Sequence, residues 1–300
     1  LLFVARRRGW IKRGVLARLV TRVRTSWVSM GMQPIIKQLI AFYQVVASIP
    51  SVYNVSLPDG KYAAWVLVLE WPSLISGDIF APPECLRGGY FFQLLLSSFW
   101  PWALSLVVMF GFALRSSLQL CRGIVTLRSS FRALRHICVE AALHTLPFVL
   151  ALTFCVVTST SSSIFKTFLC DAYKNNDFTG KTRSYLHADY SLDCDSAEYK
   201  RVANWAYGLI ALWPAGIPLF YFALLFSSHG AIKHRAPSVL ARATRFLYSE
   251  YTPSFFLWEP IEMLRKLTLT GFVLLINEEH DLARALVAVL ISLIFFAGQW

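Results

Sequence analysis

The run "FFLWEPIEMLRKLTLTGFVLLI", residues 255–276, places Glu259, Glu262, Arg265 and Lys266 inside an apolar stretch. A charged side chain is costly in hydrocarbon unless it is paired or hydrated, so these four must have a structural or functional reason. Glu262 lies three residues before Arg265 and four before Lys266, so a helix would set opposite charges on neighbouring positions. Two readings stay open. In the first, 253–264 is an amphipathic helix along the interface, the crossing begins near Arg265, and the two cations snorkel to headgroups. In the second, the four charges couple to a gate or line an ion path. Glu140 and His144, four residues apart in another apolar run, fit either a proton-sensing pair or a polar contact between helices. No nucleophile–base arrangement, phosphate loop or nucleotide fingerprint occurs, and no Cys or His pair has ligand spacing. No enzyme, cofactor or metal site is therefore expected.

The elements that position these residues follow from composition. Of 300 residues, 56% are apolar or aromatic and 15% charged, against about 25% charged in an ordinary soluble domain. Lys and Arg number 29 against 17 Asp and Glu. Because the basic residues lie in blocks between apolar runs, they indicate sidedness in a membrane rather than a nucleic-acid partner. Anionic lipid is the expected partner of those blocks, starting with the Arg-rich residues 1–30 with Trp10 and Trp27 between the cations.

At about 20 apolar residues per crossing, the chain is expected to be an all-α polytopic bundle. The crossings fall at about 90–114, 137–160, 203–227, 255–276 and 283–300, with a sixth, more polar, at 33–53. Residues 1–30 and 115–136 carry basic residues and no acid, and 228–252 carries Glu250 alone. These three segments are placed in the cytoplasm. The loops at 51–89, 161–201 and 277–282 are acidic or balanced and are placed outside. Alternation then requires that "YAAWVLVLEWPSLI", which contains Glu70 and Pro72, be an external interfacial or re-entrant helix. The expected division is a basic juxtamembrane segment, 1–32, and a multi-span domain, 33–300. The opening "LLFV" and the apolar run reaching Trp300 read as spans cut at either end.

Pro214, Gly216 and Pro218 interrupt the run "VANWAYGLIALWPAGIPLFYFALLF". A proline inside a helix removes a backbone hydrogen bond, which neighbouring helices, hydroxyl side chains or water must compensate within a bilayer. The three residues mark either bent helices shaped for packing or a hinge beside a transport path. Pro101 and Pro147 repeat the pattern. Cys170 and Cys194 bracket most of the long loop at 161–201, on the face taken as external, and are expected to form a disulfide. Asn54, in "NVS", is an expected glycosylation acceptor.

Four segments, "FYQVVASIPSVYNVSLP", "SYLHADYSLDC", "WPAGIPLFYFALL" and "RFLYSEYTPSFFLWEPIEMLRKLTLTG", resemble the membrane region of large protist and algal proteins with a TRP (transient receptor potential)-like C-terminal domain. The likeness covers most of the chain from about Gln33 onward. It implies an ion channel or channel-related sensor in the plasma membrane or an endomembrane, passing inorganic cations and possibly assembling as a homo-oligomer. The alternatives are an anchor or receptor module for a large extracellular region, or a transporter of lipid or small solutes. One departure from a tetrameric cation channel stands out. The connection "NEEHDL" between the last two expected spans is too short to hold a pore helix and filter.

Overall fold

The computed structural model describes residues 32–53, 89–122, 130–174, 182–234, 238–276 and 281–298. Asn54, the expected external helix around Trp65 and Trp71, and the basic residues 1–30 lie outside that set. The chain divides between Tyr43 and Gln44 into two compact units. In the first, the described residues are the start of helix α1 (Met32–Tyr53), where the rings of Phe42 and Tyr43 meet edge to face at 5.5 Å. The second unit is mostly helical. Its elements are α2 (Gly89–Arg122), α3 (Ser130–Lys166), a small sheet, α4 (Ala197–Ile210), α5 (Gly216–Lys233), the short α6 (Val239–Ala243) and α7 (Arg245–Tyr248), α8 (Trp258–Thr270) and α9 (Asp281–Gly298).

Among the described residues three helical stretches are long and apolar enough to cross a membrane: Gly89–Ser117, Arg135–Lys166 and Ala197–Lys233. They contain the expected runs at 90–114, 137–160 and 203–227. The other expected crossings take different forms. The run 255–276 is not one helix, because α8 ends at Gly271 after 13 residues and a 3₁₀ turn, Phe272–Leu275, follows. That α-helix is about 20 Å long, short of the ~30 Å hydrocarbon core. Gly271 is required where the chain changes course: a Cβ there would lie 2.5 Å from the Phe165 ring of α3. Phe165 in turn packs with Val52, Val273 and Leu274. Helix α9 is apolar but shorter than the three long stretches. Helix α1 forms over 22 residues, with Lys37, Gln38 and Gln44 lowering its hydropathy.

The expectation of an all-α chain is corrected in the loop after α3. Strands β1 (Cys170–Lys174), β2 (Thr182–Leu186) and β3 (Asp189–Asp193) form an antiparallel sheet in the order β1-β2-β3. Cys170 faces Leu186 across the first pair, and the register shifts between Tyr185 and Leu186 in the second. In "SYLHADYSLD" two short strand-like runs flank the pair His187 and Ala188, a hairpin pattern in the sequence itself. Ser196 then starts α4: its hydroxyl accepts from Tyr199 N at 3.1 Å and donates to Asp193 O at 2.6 Å. Such a cap satisfies one of the amide donors left open at a helix start.

Candidate functional site

Helix α3 is the centre of the second unit. It packs against α2, α4, α6, α7 and α8, and one side of it carries buried hydroxyls: Thr145, Thr153, Thr158, Thr160, Ser161 and Ser162. Most such groups in an apolar interior must find partners. Thr153 satisfies itself locally through Val149 O at 2.7 Å, and its Oγ1 also lies 2.8 Å from the Tyr221 hydroxyl of α5. Tyr221, fully buried, donates to Leu150 O at 2.8 Å. Gln44, which interrupts the apolar run of α1, spans the gap to α3: its Nε2 donates to Cys155 O at 2.6 Å, and its Oε1 accepts from Thr158 at 3.4 Å. Ser161 keeps a buried hydroxyl with no hydrogen-bond partner among the described residues.

The four charges of α8 separate into two pairs. Glu262 and Arg265 form a bidentate ion pair through Nε at 2.9 Å and Nη2, on a partly exposed face. Arg265 also lies 5.9 Å from the Phe295 ring of α9. Glu259 and Lys266, two turns apart on the other side, turn inward and are 3% and 1% exposed. The Lys266 ammonium sits 4.1 Å from the centre of the Phe154 ring, a cation–π contact strengthened by desolvation. Glu259 accepts from the Tyr251 hydroxyl at 3.0 Å. Burial, then the Glu259 carboxylate, pushes the Tyr251 phenol well above its ordinary titration range. The interfacial reading of 253–264 does not survive this burial, and Lys266 points into the bundle instead of snorkelling outward.

A third buried charge, Arg284 of α9, is 2% exposed. Its Nε donates to Ile276 O at 2.9 Å, Nη2 reaches the same oxygen, and Nη1 reaches Val52 O at 3.4 Å. It thereby serves two chain ends whose carbonyls have no helical donor. No pattern in "DLARAL" marks it, because carbonyl partners leave no trace in sequence.

Between α4 and α5 the chain stays helical through Pro214, as a five-residue π segment, Ala211–Ala215. Wider turns of this kind are rare and often occur where function needs an irregular backbone. Gly216 is bound to this geometry, since a Cβ there would meet Ala211 O at 2.8 Å. Pro218 is buried in the first turn of α5. Trp213, fully buried, donates from its indole to Ser98 O of α2 at 3.2 Å and lies 5.8 Å from the Trp102 ring.

At the opposite end of α3 from its C-terminal hydroxyl run, Glu140 approaches His136, four residues before it, at 3.8 Å. His144, four residues after it, stacks on Phe112 of α2 instead. Beyond the C-terminus of α3, Cys170 and Cys194 are joined by a disulfide with 6.5 Å between their Cα atoms. Beside it, Asp171 Oδ2 accepts from Tyr190 OH at 2.8 Å and lies 2.7 Å from His187 Nδ1. The bond to Asp171 holds the Tyr190 proton and raises its titration range. Tyr173 completes this exposed patch, its ring 6.1 Å from that of Tyr190. Comparison with known protein families, curated proteins and solved structures finds no match to this chain.

Proposed function

We propose that this chain is the TRP-like membrane domain of an ion channel or channel-related sensor, with more crossings than the three long helical stretches. The observation that carries this reading is the pair Glu259 and Lys266, buried on one side of α8 within a membrane bundle. Ionisable groups in such a place mark ion paths or voltage- and ligand-sensing elements by default. Support comes from the hydroxyl-lined side of α3 and from the π segment, which gives the longest apolar stretch a place to bend. On this reading the disulfide-tied sheet faces outside, and the segments 1–30, 115–136 and 228–252 face the cytoplasm. Inorganic cations are the permeant class, and identical subunits complete the path.

Reconstitution of the full-length protein in planar bilayers tests it. Ion-selective current that Lys266→Met or Glu259→Gln alters in selectivity or voltage dependence supports conduction along this seam. Silence of a folded, correctly oriented protein under voltage, pH and ligand steps removes it. The exposed tyrosine patch on the outer sheet favours a second reading, an anchor or receptor module. That reading gains if the silent protein still binds an extracellular ligand in a manner lost with Tyr190→Ala.

A further inference from the structure

A groove of about 580 Å³ opens between the first half of α3 and the short helix α6. Its lining is graded. Toward the N-terminal end of α3 stand His136 and Glu140, and over about 16 Å of helix the wall becomes Leu143 and Pro147. Facing them, α6 presents Val239, Arg242 and Ala243, spaced to share one side of that helix. His136, Val139, Glu140, Pro147, Val239 and Arg242 are all exposed, so the groove is open laterally and at its polar end. Among the described residues Glu140 has one charged neighbour within 4 Å, the His136 imidazole.

We infer that this groove holds one membrane phospholipid, phosphatidylethanolamine, in the leaflet facing the basic loops. The groove's polarity runs as a phospholipid's does, with charge at one end and apolar wall along the rest. The charges are of both signs, which selects the headgroup. The Arg242 guanidinium is a forked donor matched to a phosphate. Glu140 is an acceptor matched to a primary ammonium, which brings hydrogen-bond donors that a choline headgroup lacks. A purely anionic headgroup would satisfy Arg242 and set its charge against Glu140. His136 borders both sites, and the acyl chains run past Leu143 and Pro147 into the bilayer. The inference needs α3 to cross the membrane, and its choice of leaflet rests on the orientation proposed above.

The test uses the full-length chain in phosphatidylcholine bilayers doped with acyl-chain spin-labelled phosphatidylethanolamine, phosphatidylcholine or phosphatidylglycerol. Electron spin resonance then reads the fraction of each label immobilised by the protein. Two partly exposed charge contacts correspond to a preference of roughly three- to fivefold for the ethanolamine lipid over the choline lipid. Arg242→Gln and Glu140→Gln, both at exposed positions, should each bring the ratio close to one, whereas Arg201→Gln on α4 should leave it unchanged. Equal immobilisation of the ethanolamine and choline lipids, dominance of the glycerol lipid, or persistence of the preference in both groove variants overturns the assignment. Sidedness is read separately from Cys138, a free exposed thiol of α3, in a protein with Cys85 and Cys121 changed to Ser. Labelling of Cys138 by an impermeant maleimide only after permeabilisation supports the cytoplasmic leaflet. Labelling from outside overturns the leaflet assignment and the proposed orientation, while the headgroup preference stands or falls on the spin-label ratios.

Discussion

The indole of Trp213 donates to the carbonyl of Ser98 at 3.2 Å, and so ties a π segment that contains Pro214 to a helix that contains Pro101. The contact is fully buried on the tryptophan side. A lost donor in such a site leaves a desolvated carbonyl, at a cost of about 1–3 kcal/mol. Trp213→Phe keeps most of the ring packing and removes the donor. Its thermal unfolding in detergent should fall clearly below that of the parent.

Two glycines of the same apolar stretch should respond oppositely to alanine. At Gly216 a methyl group meets Ala211 O at 2.8 Å, whereas at Gly208 it meets nothing within 4 Å. Gly216→Ala must displace the π segment, at an overpacking cost of about 1–3 kcal/mol. Gly208→Ala sits inside a regular helix and should stabilise by roughly 0.5–1 kcal/mol. Equal shifts of the unfolding midpoint for the two variants would show that the π segment is not a constraint.

Arg284→Met keeps an apolar stem of similar reach and removes the donors to Ile276 O and Val52 O. Two carbonyls then lose a charged partner, and a loss of about 2–4 kcal/mol is expected. Hydrogen exchange should report it first as faster opening of the last turn of α1 and of the 3₁₀ turn at Phe272–Leu275.

The disulfide spans a sequence separation of 24 residues, a loop whose closure corresponds to about 3 kcal/mol in the chain-entropy estimate. Cys170→Ser should lose the mobility difference seen on gels with and without reductant. It should also expose the sheet to proteolysis while the long helices stay protected.

Tyr251 gives a pH signature. Its phenol titrates higher in the folded chain than in the unfolded one, through burial and the Glu259 carboxylate. The stability this contributes is fully present below about pH 10, the unfolded phenol's range, and is lost as pH climbs toward the folded value. Tyr251→Phe should therefore flatten the alkaline decline of the unfolding midpoint, although it also deprives Glu259 of a donor and lowers stability at neutral pH.

Much of this was legible in the sequence, and what was not has identifiable causes. Cys170 and Cys194 bracket their loop so closely that their pairing could be read from position alone. The three longest apolar runs announced three helices. The charges of α8 were harder, because one helical spacing supports both the Glu262–Arg265 pair and an inward-facing Glu259 and Lys266. Only packing against Phe154 and Tyr251 separates them. The Pro214–Gly216–Pro218 spacing signalled an irregularity, yet not that the chain would widen its turn and remain helical. Gln44 counted as a flaw in an apolar run, whereas its amide joins α1 to the backbone of α3. Partners of that kind lie more than a hundred residues away and leave no periodic trace.

The 37 residues of α3 make it about 55 Å long, nearly twice the hydrocarbon thickness of a bilayer. One end leads into the cystine-bound strands and the other carries the groove beside α6. A rod of that length converts angle into distance: tilting it by about 5° about one end swings the other through roughly 5 Å. A pull on the strands and a change of occupant in the groove thus act on opposite ends of a single lever.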